Sequence, residues 1–185
     1  MDEELIAFGS REYALLLGLL VMARAMDFLS TWIATPNLRL EANPLARRLG
    51  WKWGAALNLV ICGVVALWPM LTIVFATTSL LVAARNFQAA WLMRSLGEDA
   101  YRRWMVERLS EVSRGLYLFC LFAQAAFFAV LGSALVLFSE NLIIPLGIGV
   151  GTVIYAVAVV FYTLLSFWRI RRTARALAFP IAPDL

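Results

Sequence analysis

Apolar runs about as long as a bilayer is thick recur along this 185-residue chain and constrain its fold more than any other feature. With 63% of its residues hydrophobic and 15% charged, the chain has no segment left over for a soluble domain once those runs are assigned. Soluble domains use about 45–50% apolar residues. In hydrocarbon the backbone must satisfy its own N–H and C=O groups, which a long apolar run does by forming a helix. The expectation is an all-α, polytopic membrane protein with one integral domain over residues 1–185.

The runs divide into about five spans, at 13–33, 53–67, 70–92, 116–138 and 142–168. Thr35-Pro36 is a helix stop. Asn43-Pro44 reads as an N-cap followed by proline at the first helical position, opening a short surface helix over 44–49 that leads to Gly50. The apolar stretch 53–92 is too long for one span and breaks at Trp68-Pro69. Its first part is short, ~22–24 Å at 1.5 Å per residue. Tyr101, Trp104, Met105, Leu109 and Val112 recur at helical spacing among Arg102, Arg103, Arg108 and Arg114, which predicts an amphipathic surface helix over about 98–113. A turn at Ser139-Glu140-Asn141 separates the last two spans. Arg169, Arg171, Arg172 and Arg175 form a basic tail, and Pro180 and Pro183 point to an extended end.

Charge then sets orientation. With the amino terminus outside, segments 34–52, 93–115 and 169–185 face the cytoplasm and carry nearly all the lysine and arginine. Trp32, Trp51, Trp53, Trp91, Trp104 and Trp168 fall at the inner interface and Trp68 at the outer one, as interfacial aromatics should. The expected location is the inner (cytoplasmic) membrane, with the carboxyl terminus in the cytoplasm and lipids as partners. The net charge of +4 is thus a topology signal, with no nucleic-acid partner implied. The acidic start, Met1-Asp2-Glu3-Glu4, is unlike a basic secretory leader, so the first run is expected to be retained. The chain has no histidine, which removes Ser-His-Asp chemistry and the usual zinc sites. No metal and no cofactor is demanded. Cys62 and Cys120 lie inside apolar runs and read as buried free thiols.

Against this apolar background the polar residues stand out. A charged side chain inside a span costs roughly 2.5–3.5 kcal/mol on insertion scales, so it normally faces other helices and finds a partner. Arg24, Asp27 and Thr31 follow i, i+3, i+7 on the first span, where Arg24 and Asp27 can pair. Thr78 and Arg85 share a face of the third span, with Asn86 beside it, and Asn58 lies at comparable depth on the second. One cluster between the first three spans is expected. It would hold two arginines and one aspartate, leaving a positive charge for Glu41 or an anionic ligand to meet. Three readings are open: an Asp27–Arg85 ion pair acting as glue, a ligand or ion site, and a catalytic site. The last lacks a visible activated nucleophile. Candidate ligand-binding residues are Arg24, Asp27, Thr31, Glu41, Asn43, Asn58, Arg85 and Asn86. On the last span Gly147 and Gly151 make a small-residue face, extended by Tyr155, that suits either an internal helix contact or a partner subunit.

The pattern Asp27-x-x-Ser30-Thr31, then Glu41-Ala42-Asn43-Pro44, then Asn86, resembles a family of small prokaryotic multi-pass membrane proteins of unknown function, over roughly residues 13–92. The resemblance implies that Asp27, Thr31, Glu41, Asn43 and Asn86 belong to one shared feature. It brings no activity. The leading functional expectation is a non-catalytic subunit or assembly component of a membrane complex. The alternatives are a carrier or binding protein for an ion or anionic lipid at the Arg/Asp/Asn cluster, and an intramembrane lipid-modifying enzyme.

Overall fold

A computed structural model describes residues 5–41 and 43–178, with side chains on the last helix described as far as Trp168. The expected extended end at Pro180 and Pro183, the acidic residues 2–4 and Ala42 of the Glu-Ala-Asn-Pro motif lie outside the described residues, as do the side chains of the basic tail. Among the described residues the chain is all-helical: α1 (Arg11–Ala34), α2 (Pro44–Val65), α3 (Pro69–Leu96), α4 (Glu98–Glu111), α5 (Arg114–Leu137) and α6 (Ile143–Ala178). α1, α3, α5 and the Ile143–Trp168 part of α6 are each long and apolar enough to cross a membrane. The chain is accordingly that of a multi-pass helical membrane protein.

Local chemistry accounts for the helix ends. Ser10 caps α1 by accepting from the Tyr13 amide at 3.1 Å, and Asn43 caps α2 by accepting from Leu45 at 3.0 Å, with Pro44 next in line. Gly50 adopts φ 68°, ψ −173°, a conformation that costs a side-chain-bearing residue dearly, and there α2 breaks into a short first piece and a longer second one. Pro69 opens α3, Gly97 at φ 77° ends it, and Ser113 caps α5. Glu140 and Asn141 take positive φ in the expected turn before α6. α6 runs on as a helix to Ala178, ten residues past the expected end of the last span.

The helices adjoin in a row, α1 against α3, α3 against α6 and α6 against α5, with α2 packed on α1. Contacts fix their directions. Arg24 reaches Ser79 and Asn86 reaches Thr31, so α1 and α3 run parallel. The Tyr13 hydroxyl donates to the Gly63 carbonyl at 3.1 Å while Arg24 meets Asn58, so α2 runs back antiparallel to α1. One core cluster holds Leu20, Ala23, Cys62 and Ala76 between α1, α2 and α3, and a second holds Leu121, Tyr155 and Val159 between α5 and α6. Cys62 is buried as expected, but Cys120 is exposed, on the side of α5 that carries Phe119 and Phe127.

Glycines let α6 wedge between two neighbours. A Cβ at Gly147 would lie 2.7 Å from Ile73, and one at Gly151 would lie 2.8 Å from the Val74 carbonyl, both on α3. Gly149, on the opposite side of α6, faces Gly132 of α5, and a Cβ on either would come 2.7 Å from the other's carbonyl. The Gly147/Gly151 face is therefore filled by α3 of the same chain. Small residues are what allow such backbone approach between apolar helices. Gly149→Leu should accordingly lower the thermal unfolding midpoint in detergent, by an amount equivalent to about 1–3 kcal/mol or more. Gly18→Leu, at an exposed position with open space around it, should leave the midpoint nearly unchanged.

Candidate functional site

Three helices build the first polar constellation. α1 places Arg24, Asp27, Ser30 and Thr31 one helical turn apart on adjoining faces, α2 brings Asn58 back antiparallel, and α3 supplies Ser79 and Asn86. Arg24 donates from Nη1 to Asp27 Oδ2 at 2.9 Å and to Ser79 Oγ at 3.1 Å, and from Nε to Asn58 Oδ1 at 2.8 Å, with Nη2 on the same oxygen. Asn58 Nδ2 donates in turn to the Gly54 carbonyl at 2.8 Å. One turn further on, Ser30 Oγ donates to the Asp27 carbonyl, and Asn86 Nδ2 reaches Ser30 Oγ and Thr31 Oγ1, each at 3.3 Å. Side-chain exposures of 28% for Arg24 and 17% for Asp27 make this a largely enclosed ion pair. Every nitrogen of the Arg24 fork is engaged, which describes a clasp across three helices.

The segment after α1 folds back beside this clasp. The Trp51 indole donates to the Pro36 carbonyl at 2.8 Å, the Asn37 amide donates to Glu98 Oε1 at 2.7 Å, and Arg39 pairs with Asp99. Glu41 accepts from the Asn43 amide at 2.8 Å and lies close enough to Asp27 for their negative charges to oppose each other. So Glu41 adds to the acid side of the clasp, and among the described residues it forms no ion pair with a second arginine. Glu98 is buried with its other oxygen, Oε2, unpartnered.

Arg85 departs from the expected single cluster. The anticipated Asp27–Arg85 pair does not form: the ion pairs among the described residues are Arg24–Asp27, Arg39–Asp99 and Arg108–Glu111. Arg85 lies about 100° around α3 from Asn86, on the face toward α6. Its Nη2 donates to Thr163 Oγ1 of α6 at 3.1 Å, and Tyr155 of α6 and Tyr117 of α5 lie within electrostatic range. Burial pushes the phenol of Tyr101 on α4 above the ordinary range, with Tyr117 adding to the rise. Its hydroxyl therefore stays protonated near neutrality and can donate. The reason for the split is geometric. Thr78, on the Arg85 face, donates to the Gly151 carbonyl of α6 at 3.0 Å, so that whole face looks toward α6 and away from α1.

The structure thus unites Arg24, Asp27, Asn58, Thr31 and Asn86, brings Glu41 alongside with Asn43 as its neighbour, and leaves Arg85 in a separate setting. Sequence reasoning missed Ser79, Thr163 and Tyr117. Ser79 was findable: Thr72, Ser79, Ala83, Asn86 and Ala90 repeat at helical spacing as one small, polar face. Comparison with family models, curated proteins and solved structures finds no match to the chain.

Removing one partner of an enclosed ion pair leaves the other charge uncompensated, at a cost of about 3–5 kcal/mol, whereas replacing both by apolar residues is often neutral. Asp27→Leu alone should therefore destabilise strongly in detergent-titrated unfolding. The double variant Arg24→Met/Asp27→Leu should recover much of the loss, and the double-mutant cycle should show a coupling above about 1 kcal/mol.

Proposed function

We propose that the protein is a five-span inner-membrane protein, amino terminus outside and carboxyl terminus in the cytoplasm, that binds or carries an anionic, lipid-borne ligand. The observation that carries this reading is the inequality of its two intramembrane arginines. Arg24 is neutralised by Asp27, while Arg85, on an equally apolar helix, meets hydroxyls and no carboxylate among the described residues. A guanidinium held in hydrocarbon without a counter-charge is expensive, and such a residue marks a ligand path or site. The accessory-subunit reading has less support, because the small-residue face that would have suited a partner is taken up by α3. A lipid-modifying enzyme would draw on the Arg24 clasp, whose arginine is already committed to three side chains.

Helix direction supports the fifth span. Since α1 and α3 run parallel, the chain must return between them, and the part of α2 after Gly50 makes that return. Fifteen residues after Gly50 reach about 22 Å, short of a ~30 Å hydrocarbon core, so the bilayer would thin beside α2. The same parity gathers Arg39, Arg47, Arg48, Lys52, Arg94 and the arginines of α4 at one end of the molecule, the end that the positive-inside bias assigns to the cytoplasm.

Native mass spectrometry of protein extracted gently from its own membrane tests the reading. A single chain retaining an anionic lipid-like adduct, lost in Arg85→Gln, is the expected result. A stoichiometric complex with other proteins and no Arg85-dependent adduct would contradict it. In a Cys62→Ala/Cys120→Ala background, Ser10→Cys should react with an impermeant maleimide from outside spheroplasts and Ser110→Cys only after lysis; the reverse pattern would overturn the orientation.

A further inference from the structure

The setting of Arg85 also says how deep the ligand's charge must lie. Gly147 of α6 packs on Ile73 of α3, and the two helices run parallel. Gly151 packs on both Val74 and Thr77, so equal rise along the two helices places residues 159–162 opposite Arg85. Its guanidinium bonds Thr163. The side chain therefore reaches toward the arginine-rich end by at most one turn, about 6 Å. It stops five residues short of Trp168, about 7 Å along the axis. On α3 itself the exposed Trp91 stands six residues beyond Arg85. Tryptophans mark the interfacial level at which headgroups sit. The guanidinium thus lies on the hydrocarbon side of that level.

Its surroundings favour one kind of occupant. The Thr163 hydroxyl accepts from it at 3.1 Å, and Tyr117 and Tyr155 lie within electrostatic range. Each can donate to an oxyanion. Next to Tyr155 the packing turns apolar at once, with Leu121 and Val159 buried and Leu81, Val82, Phe128 and Leu164 against them. Arg85 itself remains partly exposed. The arrangement suits an acid whose charge is attached directly to a hydrocarbon chain. A phospholipid carries its phosphate outside a glycerol backbone, at the level of the tryptophans.

Resting on the anionic-ligand reading above, we infer that Arg85, with Thr163, forms a site for the carboxylate of a long single-chain lipid acid. The carboxylate accepts from the guanidinium fork in the two-pronged manner that suits this pair, and the chain lies along the apolar surface of α5 and α6.

The test uses the full chain purified in an uncharged maltoside detergent, with thermal unfolding as the readout. A ligand that binds only the folded state raises the midpoint. The probes are oleate, methyl oleate and dioleoylphosphatidylglycerol at equal mole fraction in the micelle, and inorganic phosphate in solution. Oleate should raise the midpoint by several degrees, and the other three should shift it little. Arg85→Gln should melt cooperatively without ligand and lose the oleate shift, and Arg85→Lys should keep part of it. An Arg85-dependent shift with phosphatidylglycerol or phosphate but not oleate would overturn the lipid-acid inference while leaving the anionic reading in place. An oleate shift that survives in Arg85→Gln, or no Arg85-dependent shift with any probe, would overturn both.

Discussion

A guanidinium in hydrocarbon needs either a counter-charge or a route toward water, and the Arg24–Asp27 pair on α1 is the solution on which half of this molecule depends. The two residues sit one turn apart, so the pair can close within α1 before any neighbour docks. Once closed it still presents N–H groups outward, and these are what α2 and α3 answer, with Asn58 on one side and Ser79 on the other. Apolar helices have little reason to choose one neighbour over another in lipid. A polar group that must be satisfied supplies the choice.

Backbone contact organises the other half. α6 carries glycines on two opposite sides, and α3 and α5 each come close enough that a methyl group would clash. α3 is shared between the two halves, with its small, polar face on α1 and its Thr78/Arg85 face on α6. One consequence is that Arg85, about 100° around α3 from Asn86, turns to α6 and not to the α1–α2–α3 clasp. That Arg85 meets no carboxylate among the described residues follows from the order of helices in the row.

Much of the fold was legible because it is written in local chemistry. Proline at 44 and 69, glycine at 50 and 97, and the capping residues Ser10, Asn43 and Ser113 mark helix ends by rules that need no tertiary information. The Arg24–Asp27 pair was legible for the same reason, being an i, i+3 relation. The fate of Arg85 was not. Periodicity assigned it to one face with Thr78, and that assignment holds, but which helix covers the face depends on long-range packing. Nothing in a single sequence says that α6 and not α1 lies there. The extent of α6 past Trp168 was also hidden, since a basic tail reads equally well as helix or as extended chain.

The most direct measurement compares Arg24→Gln with Arg85→Gln by reversible unfolding in an uncharged, lipid-free micelle. Each change removes one intramembrane positive charge from a similar apolar helix and keeps a long polar side chain. If Arg24 is the structural cation and Arg85 the one awaiting a ligand, Arg24→Gln should cost on the order of 3 kcal/mol by stranding Asp27. Arg85→Gln should then change stability by less than about 1 kcal/mol, or raise it, because an unmet charge is removed. Equal and large losses at both positions would mean that Arg85 is also paired within the fold, and would contradict the account.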